Sequence, residues 1–321
     1  MNRKKEIDWV GKWFELLNER GFATEVLLAS SSPGDPNDLC HIKSYSHAEY
    51  DGVGLVLEHL RQQGHAPLVP SLPKNYHAPW WKKIIGLIRN LRFVPVFGAR
   101  WKAFSSSKDS ASSKNKFRFK LLSKDETQRV LKASRQAGVS VNSQLLWTLD
   151  QSLRSEWIAG SGPFYWMIPI NMRGASLKTR DTSNHASWIW VDSLKANSAL
   201  EIQNQIQKRF ADHFHWGAWL SLNIGKVIGV SGMKFLLKKA ESIQEHWVGT
   251  FSNVGAWKLN ADPLVIIVPT APSTPISAGC LTVNDQLGLS INVDPLLKVE
   301  TSQIDLWLKN WVQRAMGETA L

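Results

Sequence analysis

His47 stands four residues before Asp51, and Gly52 follows at once, in the stretch KSYSHAEYDGVGLVLEHL, residues 43–60. A neutral imidazole at the end of a strand and open to a cleft can take the proton of an alcohol or amine as that group attacks an acyl carbon. An ordinary pKa of about 6.5 leaves it unprotonated near neutrality. Such a reaction needs no serine or cysteine nucleophile. Asp51 suits a supporting part, a carboxylate that holds the tight loop by pairing with an arginine, and Gly52 lets backbone or substrate come close. The same spacing also arises as the polar end of an ordinary strand and helix, so the surrounding elements have to decide.

A strand, LCHIKSY, leads into these residues, and a helix begins near Gly54. Ahead of them lie an amphipathic helix near residues 7–20, a strand around 22–29 and the turn-rich SSSPGDPND. Further on, SSSKDSASSKNK (105–116) is small, polar and aperiodic. It reads as a flexible crossover between a first lobe, 1–104, and a second lobe, 117–321. SKDETQRVLKASRQAG opens on Ser123 with an acidic first turn and closes at Gly138, as a capped helix does. VNSQLLWTLDQSLRSEW is a second helix, FYWMIPINM and ASWIWVDSL are strands, SALEIQNQIQKRFADHF is a helix and LVIIVPT is a buried strand. CLTVNDQLGLSINVD predicts a hairpin turning at Asn284 and Asp285. The last helix carries Ile304, Trp307, Leu308, Trp311 and Val312 on one face. This alternation, without strict βαβ regularity, predicts a mixed α/β fold with some antiparallel pairing.

SHAEYDGVGL resembles the His-x-x-x-Asp-Gly motif of the chloramphenicol acetyltransferase-like superfamily. That superfamily includes peptide-synthetase condensation domains, plant BAHD acyltransferases and bacterial wax ester synthase/diacylglycerol acyltransferases, and the chain is most like the last of these. AGVSVNSQLLWTLDQSL is similar to the helix-opening segment of the second lobe. IPINMRGA with SNHASW resembles a paired strand and Asn-Ser segment, and TFSNVGAW resembles a Ser-Asn-Val-Pro-Gly block without its proline. QLGLSINVDP is similar to the closing strand and aspartate, and the blocks together cover most of residues 37–315 in the superfamily's order.

The resemblance implies an α/β fold, a two-lobed sandwich of mixed sheets with flanking helices. It implies His47 as general base, with Asp51 orienting the loop beside Gly52. Arg173 becomes a candidate cation for Asp51 or a substrate contact, while Ser252 and Asn253 would line an acyl-donor tunnel between lobes. Taken by its residues alone, TFSNVGAW also reads as a turn after a strand, its polar side chains satisfying local backbone. The implied reaction moves an acyl group from a thioester to a hydroxyl or amine of a lipid-like acceptor. Acyl-CoA or the acyl-phosphopantetheine of an acyl carrier protein serves as co-substrate, with no permanently bound cofactor. The alternative is a degenerate member that keeps the fold as a lipid- or protein-binding module. Two departures stand out. Relatives carry a longer segment ahead of the motif, so the first lobe reads as shortened, its pocket open or completed by another subunit of an oligomer. Ser46 also stands where many members have a second histidine, although plant members manage with one.

The 321 residues are 43% hydrophobic, enough for a large core, which excludes a disordered or fibrous protein. Two cysteines, Cys40 and Cys280, have no metal-type spacing and suggest neither a disulfide framework nor a zinc site. The start, MNRKKEIDWVGKWFELLNER, does not resemble a signal peptide, and no stretch reaches the roughly 20 apolar residues of a membrane span. The expectation is a cytoplasmic protein, soluble or peripheral on the inner membrane face. A net charge of +11 favours an anionic partner. Between Glu58 and Asp109 there is no acid, and nine lysines and arginines fall there.

Within that region PWWKKIIGLIRNLRFVP (79–95) puts Trp81, Ile84, Ile85, Ile88 and Leu91 on one face and Lys82, Lys83, Arg89 and Arg92 toward the other. An anionic membrane surface is one fit for such a helix. A helix packed on the lobe with solvated lysines, or a dock for an acidic carrier protein or the phosphates of coenzyme A, uses the same residues. The sixteen tryptophans fall mostly in apolar periodic segments, so core packing, not nucleic-acid stacking, is expected. His213 and His215 read as an aromatic-rich helix end rather than a metal site. GVSG at 229–232 fails the spacing of a nucleophile elbow, and GVG after Asp51 is no dinucleotide fingerprint.

Overall fold

The computed structural model describes residues 7–30, 41–92, 100–101, 116–159, 163–175, 180–241, 249–258, 261–271 and 274–318. Cys40, residues 31–38, Pro95, Lys102, Lys108 and the crossover residues 105–115 lie outside the described residues. The elements run α1 (Trp9–Asn18), β1 (Glu25–Ser30), β2 (His41–Ser46), α2 (Gly52–Gln62), a 3₁₀ turn (Lys74–Tyr76), α3 (Trp80–Arg92) and β3 (Arg100–Trp101). There follow β4 (Lys116–Leu121), α4 (Lys124–Gln136), α5 (Val141–Trp157), β5 (Ile158–Ala159), β6 (Tyr165–Asn171), β7 (Ala186–Asp192), α6 (Ala199–Ala211), α7 (Phe214–Leu222) and α8 (Gly225–Glu241). β8 (Gly249–Trp257), β9 (Leu264–Ile267), β10 (Ile276–Val283), β11 (Gln286–Val293) and α9 (Thr301–Ala315) complete the chain.

Local chemistry explains most boundaries. Ser123 and Glu126 form a reciprocal capping box at the start of α4, and Gly138 beyond its end takes a positive φ of 66°. Asn284 and Asp285 both have positive φ, 50° and 63°, as a two-residue hairpin between right-twisted strands requires. All five apolar residues expected on one face of α9 are buried. TFSNVGAW is not a turn: it lies wholly within β8, where Gly255 (φ 91°) accompanies a shift in the register against β10.

Two sheets carry the architecture, a six-stranded one in the order β4-β11-β10-β8-β6-β7 and a three-stranded one in the order β2-β1-β9. Both mix with helices as expected of an α/β sandwich. β9, far along the chain, pairs antiparallel with β1 and lies across the face of β10 and β11. Small residues make that approach possible. A methyl group on Gly279 would stand 2.3 Å from the Ile266 carbonyl, and the Ser290 hydroxyl donates to that same oxygen at 2.6 Å. Ser277 and Asn292 donate to the Val268 carbonyl at 2.6 and 2.8 Å. The larger core is built by β6, β7, β8, β10 and β11 against α5 and α9, and a second by β1, β9 and α2.

α3 departs from the packed helix with solvated lysines. Its apolar residues face out: Trp80 is 76% exposed, Leu91 66%, and Trp81, Ile84, Ile85 and Ile88 are exposed as well. Two of its cations reach toward α7 and the turn before it, while Lys82 stays by the outward Trp81 ring. Lys83 lies 3.8 Å from the centre of the Trp216 ring on α7, and Arg89 pairs with Asp212 at 2.8 Å. Glycines set this orientation, because a methyl on Gly86 would be 2.3 Å from the His213 carbonyl and one on Gly217 2.2 Å from the Gly86 carbonyl. No single described helix is long and apolar enough to cross a membrane.

Candidate active site

β2 ends at Ser46, whose carbonyl accepts the amides of Glu49 and Tyr50, so the chain turns tightly through residues 47–50. Asp51 then caps α2, accepting the Gly54 amide at 2.6 Å. The same carboxylate takes both arms of the Arg173 guanidinium at 2.8 Å each and the His185 amide at 2.8 Å. Asp51 and Arg173 are 3% and 2% exposed, which makes this a buried pair with its remaining hydrogen-bonding capacity met. Arg173 donates also to the carbonyls of Asp181 and Ser183 and to Asn171 Oδ1. Beside Gly52, the expected place of a close approach, the tighter position is Gly54. A methyl group there would lie 2.0 Å from the Thr182 carbonyl and 2.9 Å from Arg173 Nη2, whereas at Gly52 it would meet Val254 Cγ2 at 3.1 Å.

His47 sits on this braced loop. Its Nδ1 donates to the Tyr50 carbonyl at 2.8 Å, which leaves Nε2 as the nitrogen with a free lone pair. Asn184 Nδ2 donates to the His47 carbonyl at 3.0 Å. The Phe14 ring of α1 covers the imidazole, 3.9 Å between centres. Gly11 brings α1 that near, since a methyl group on it would stand 2.1 Å from the Ala48 carbonyl. Burial holds the His47 pKa below its ordinary 6.5, against the upward pull of the Tyr50 carbonyl and the Asp51 carboxylate.

A cavity of about 530 Å³ opens beside His47, within the range of small-molecule sites. Its walls come from both sheets: Val26 of β1, Ile266 of β9, Met167 and Pro169 of β6, Trp188 of β7 and Thr250 and Ser252 of β8. β6 and β8 pair only over Trp166–Met167 and Gly249–Thr250, and the cavity occupies the space where they diverge. Pro169, with no amide to donate, lies on that stretch. Of the residues expected to touch substrate, Ser252 lines the cavity, while Arg173 and Asn253 do not. The reasons are physical: Arg173 is consumed by Asp51, and Asn253, next to Ser252 in a strand, points to the opposite face. Asn253 Oδ1 accepts the Gly255 amide at 2.9 Å, so its part is local support of the bulge. Thr250, Asn184 and Phe14 also line the cavity; Thr250 could have been found by period two from Ser252.

Comparison with solved structures identifies the architecture. The trichothecene 15-O-acetyltransferase TRI3 from Fusarium sporotrichioides superposes with a TM-score of 0.55 at 12% identity, over 98% of this chain and 76% of that one. The epimerization domain from the third module of tyrocidine synthetase B gives 0.51 at 12%, over 98% and 88%. This chain has the condensation-domain and acyltransferase fold. A wax ester synthase/diacylglycerol acyltransferase from Marinobacter aquaeolei VT8 shares it, with a TM-score of 0.52 at 10% identity over 86% of this chain and 67% of the other. No protein-family model and no curated protein matches the sequence.

In this condensation-domain fold His213 and His215 do not line the cavity. His213 takes a left-handed conformation ahead of α7, and His215 is buried, its Nε2 on the Tyr76 carbonyl at 3.2 Å. Burial lowers the His215 pKa to about 4. Among the described residues no group of three or more His, Cys, Asp or Glu could hold a metal ion.

Proposed function

We propose that the chain transfers an acyl group from a thioester to a hydroxyl or amine, with His47 as general base. The observation that carries this is the fixed tautomer: the Tyr50 carbonyl takes the Nδ1 proton, so Nε2 is free to accept one beside a cavity. As the acceptor oxygen or nitrogen attacks the thioester carbonyl, its proton passes to Nε2 and the carbonyl becomes an oxyanion. Ser252, and Thr250 next to it on the same face of β8, are the hydroxyls available to that oxyanion. The carbon–sulfur bond then breaks, and the imidazolium returns the proton to the departing thiolate. Asp51 and Arg173 act by holding the loop rather than by touching substrate.

Support comes from the fold and from neighbours named as an O-acetyltransferase and a wax ester synthase. Acyl-CoA and acyl-phosphopantetheine present the same thioester, and either fits this reading. The test measures release of free thiol from both donors with a panel of alcohols and amines. His47→Ala should lower turnover by about 10² to 10⁴ with an unchanged circular dichroism spectrum. Turnover within a few-fold of wild type would sink the assignment; stable ligand binding with no turnover by wild type would favour a binding module.

A further inference from the structure

A surface helix ordinarily turns its apolar side inward. α3 does the reverse, and the six exposed apolar residues from Trp80 to Leu91 have no counterpart in the fold to cover them among the described residues. The exposed strip runs to the cavity. Leu91 is both exposed and part of the cavity wall, and so is Leu236 of α8, which places the mouth between these two helices. Val227 on α8 is 85% exposed. Cations predominate around the strip: α3 contains no acid, Lys82 lies 5.3 Å from the centre of the Trp81 ring, and Lys226 and Lys238 are exposed on α8, while Asp212 is paired with Arg89 and Glu19 with Lys234.

We propose that this strip seats the protein on an anionic membrane, and that the cavity opens through it to take a lipid chain directly from the bilayer. The second half rests on reading the cavity as an acyl-transfer site; the first does not. Tryptophans beside cations suit the headgroup boundary, and apolar side chains between them suit the acyl region below. A second copy is a poorer occupant, since a symmetric pair through this face would set the same lysines against each other.

Vesicle co-sedimentation of the full chain tests the seat, with phosphatidylcholine vesicles prepared with and without phosphatidylglycerol across a salt series. Wild type should pellet with the anionic vesicles and stay in solution with the neutral ones. Trp81→Glu and Ile88→Glu should each lower the bound fraction about ten-fold or more, and Lys82→Gln should weaken binding in a way that added salt erases. Trp81 and Ile88 are exposed and Lys82 partly so, and unchanged circular dichroism is expected. Wild type remaining in the supernatant with anionic vesicles at low salt overturns the seat. So does undiminished binding by Ile88→Glu, or a wild-type dimer in light scattering that Ile88→Glu splits.

Delivery is read separately, as turnover on a vesicle-borne long-chain alcohol against turnover on a short soluble one. Ile88→Glu should lower the first about ten-fold and leave the second unchanged. An equal fall on both acceptors overturns delivery while sparing acyl transfer. Absence of wild-type turnover on either acceptor overturns delivery together with the acyl-transfer reading, and the sedimentation result stands independently.

Discussion

Phe14 and His47 lie ring against ring, 3.9 Å apart at an angle of 31°, although one belongs to the first helix and the other to the loop after β2. The contact helps to keep water from the imidazole, and burial is the largest cause of its lowered pKa. Phe14→Ala should therefore raise that pKa toward 6.5 and shift the acid limb of kcat/KM to higher pH, whereas Phe14→Leu should keep the limb near its wild-type position. A pH–rate profile that Phe14→Ala leaves in place would detach Phe14 from the base.

Asp51→Asn should cost about 3–5 kcal/mol of stability, because it leaves a buried guanidinium facing an amide. Urea unfolding of wild type and variant measures it. Gly54→Ala should also destabilise, through the 2.0 Å clash with the Thr182 carbonyl. An Asp51→Asn protein as stable as the parent yet inactive would give the carboxylate a part in the chemistry instead.

Ser252 and Asn253 are neighbours with opposite outlooks. Ser252→Ala should lower kcat by about 10²–10³ if its hydroxyl meets the oxyanion. Asn253→Ala, which removes a bond to the Gly255 amide on the other face, should leave kcat within a few-fold and lower the melting temperature slightly. Equal losses of kcat would contradict the strand alternation on which this distinction rests.

The pH dependence of stability follows from His215. Its folded pKa, about 4, lies below the ordinary 6.5, so the unfolded chain takes up the proton first as pH falls. The contribution is fully present above pH 6.5 and is lost on going down toward pH 4, by on the order of 3 kcal/mol. Urea midpoints measured at intervals over that range should fall. His215→Gln, which keeps a donor for the Tyr76 carbonyl, should flatten the slope; an unaltered slope would assign the acid sensitivity elsewhere.

Local signals in the sequence carried well. α4 was legible from Ser123, its acidic turn and Gly138, and α9 from the spacing of five apolar residues, because caps and periodicity act within one element. His47 and Asp51 were legible as a pair for the same reason. Arg173 is 122 residues from Asp51, and only the family resemblance brought them together. Ser252 and Asn253 read as equivalents because the strand character of β8 is masked by its glycines and bulge; once it is a strand, they must part. For α3, periodicity showed which residues share a face but not which way that face turns. That depends on Gly86 meeting Gly217, a contact between helices that no single-helix pattern contains.

The pairing of β9 with β1 bears on the order in which the molecule can form. β1 leaves the ribosome roughly 230 residues before the strand that shields its free edge. At typical synthesis rates that wait is on the order of ten to fifty seconds. Throughout it, the nascent amino-terminal half holds an apolar strand with an unmatched row of amides and carbonyls, a template for joining other chains. Neither half is then an autonomous folding unit: separately expressed, the first should be insoluble, and the two should become soluble only when synthesised together, with assembly limited by this long-range closure.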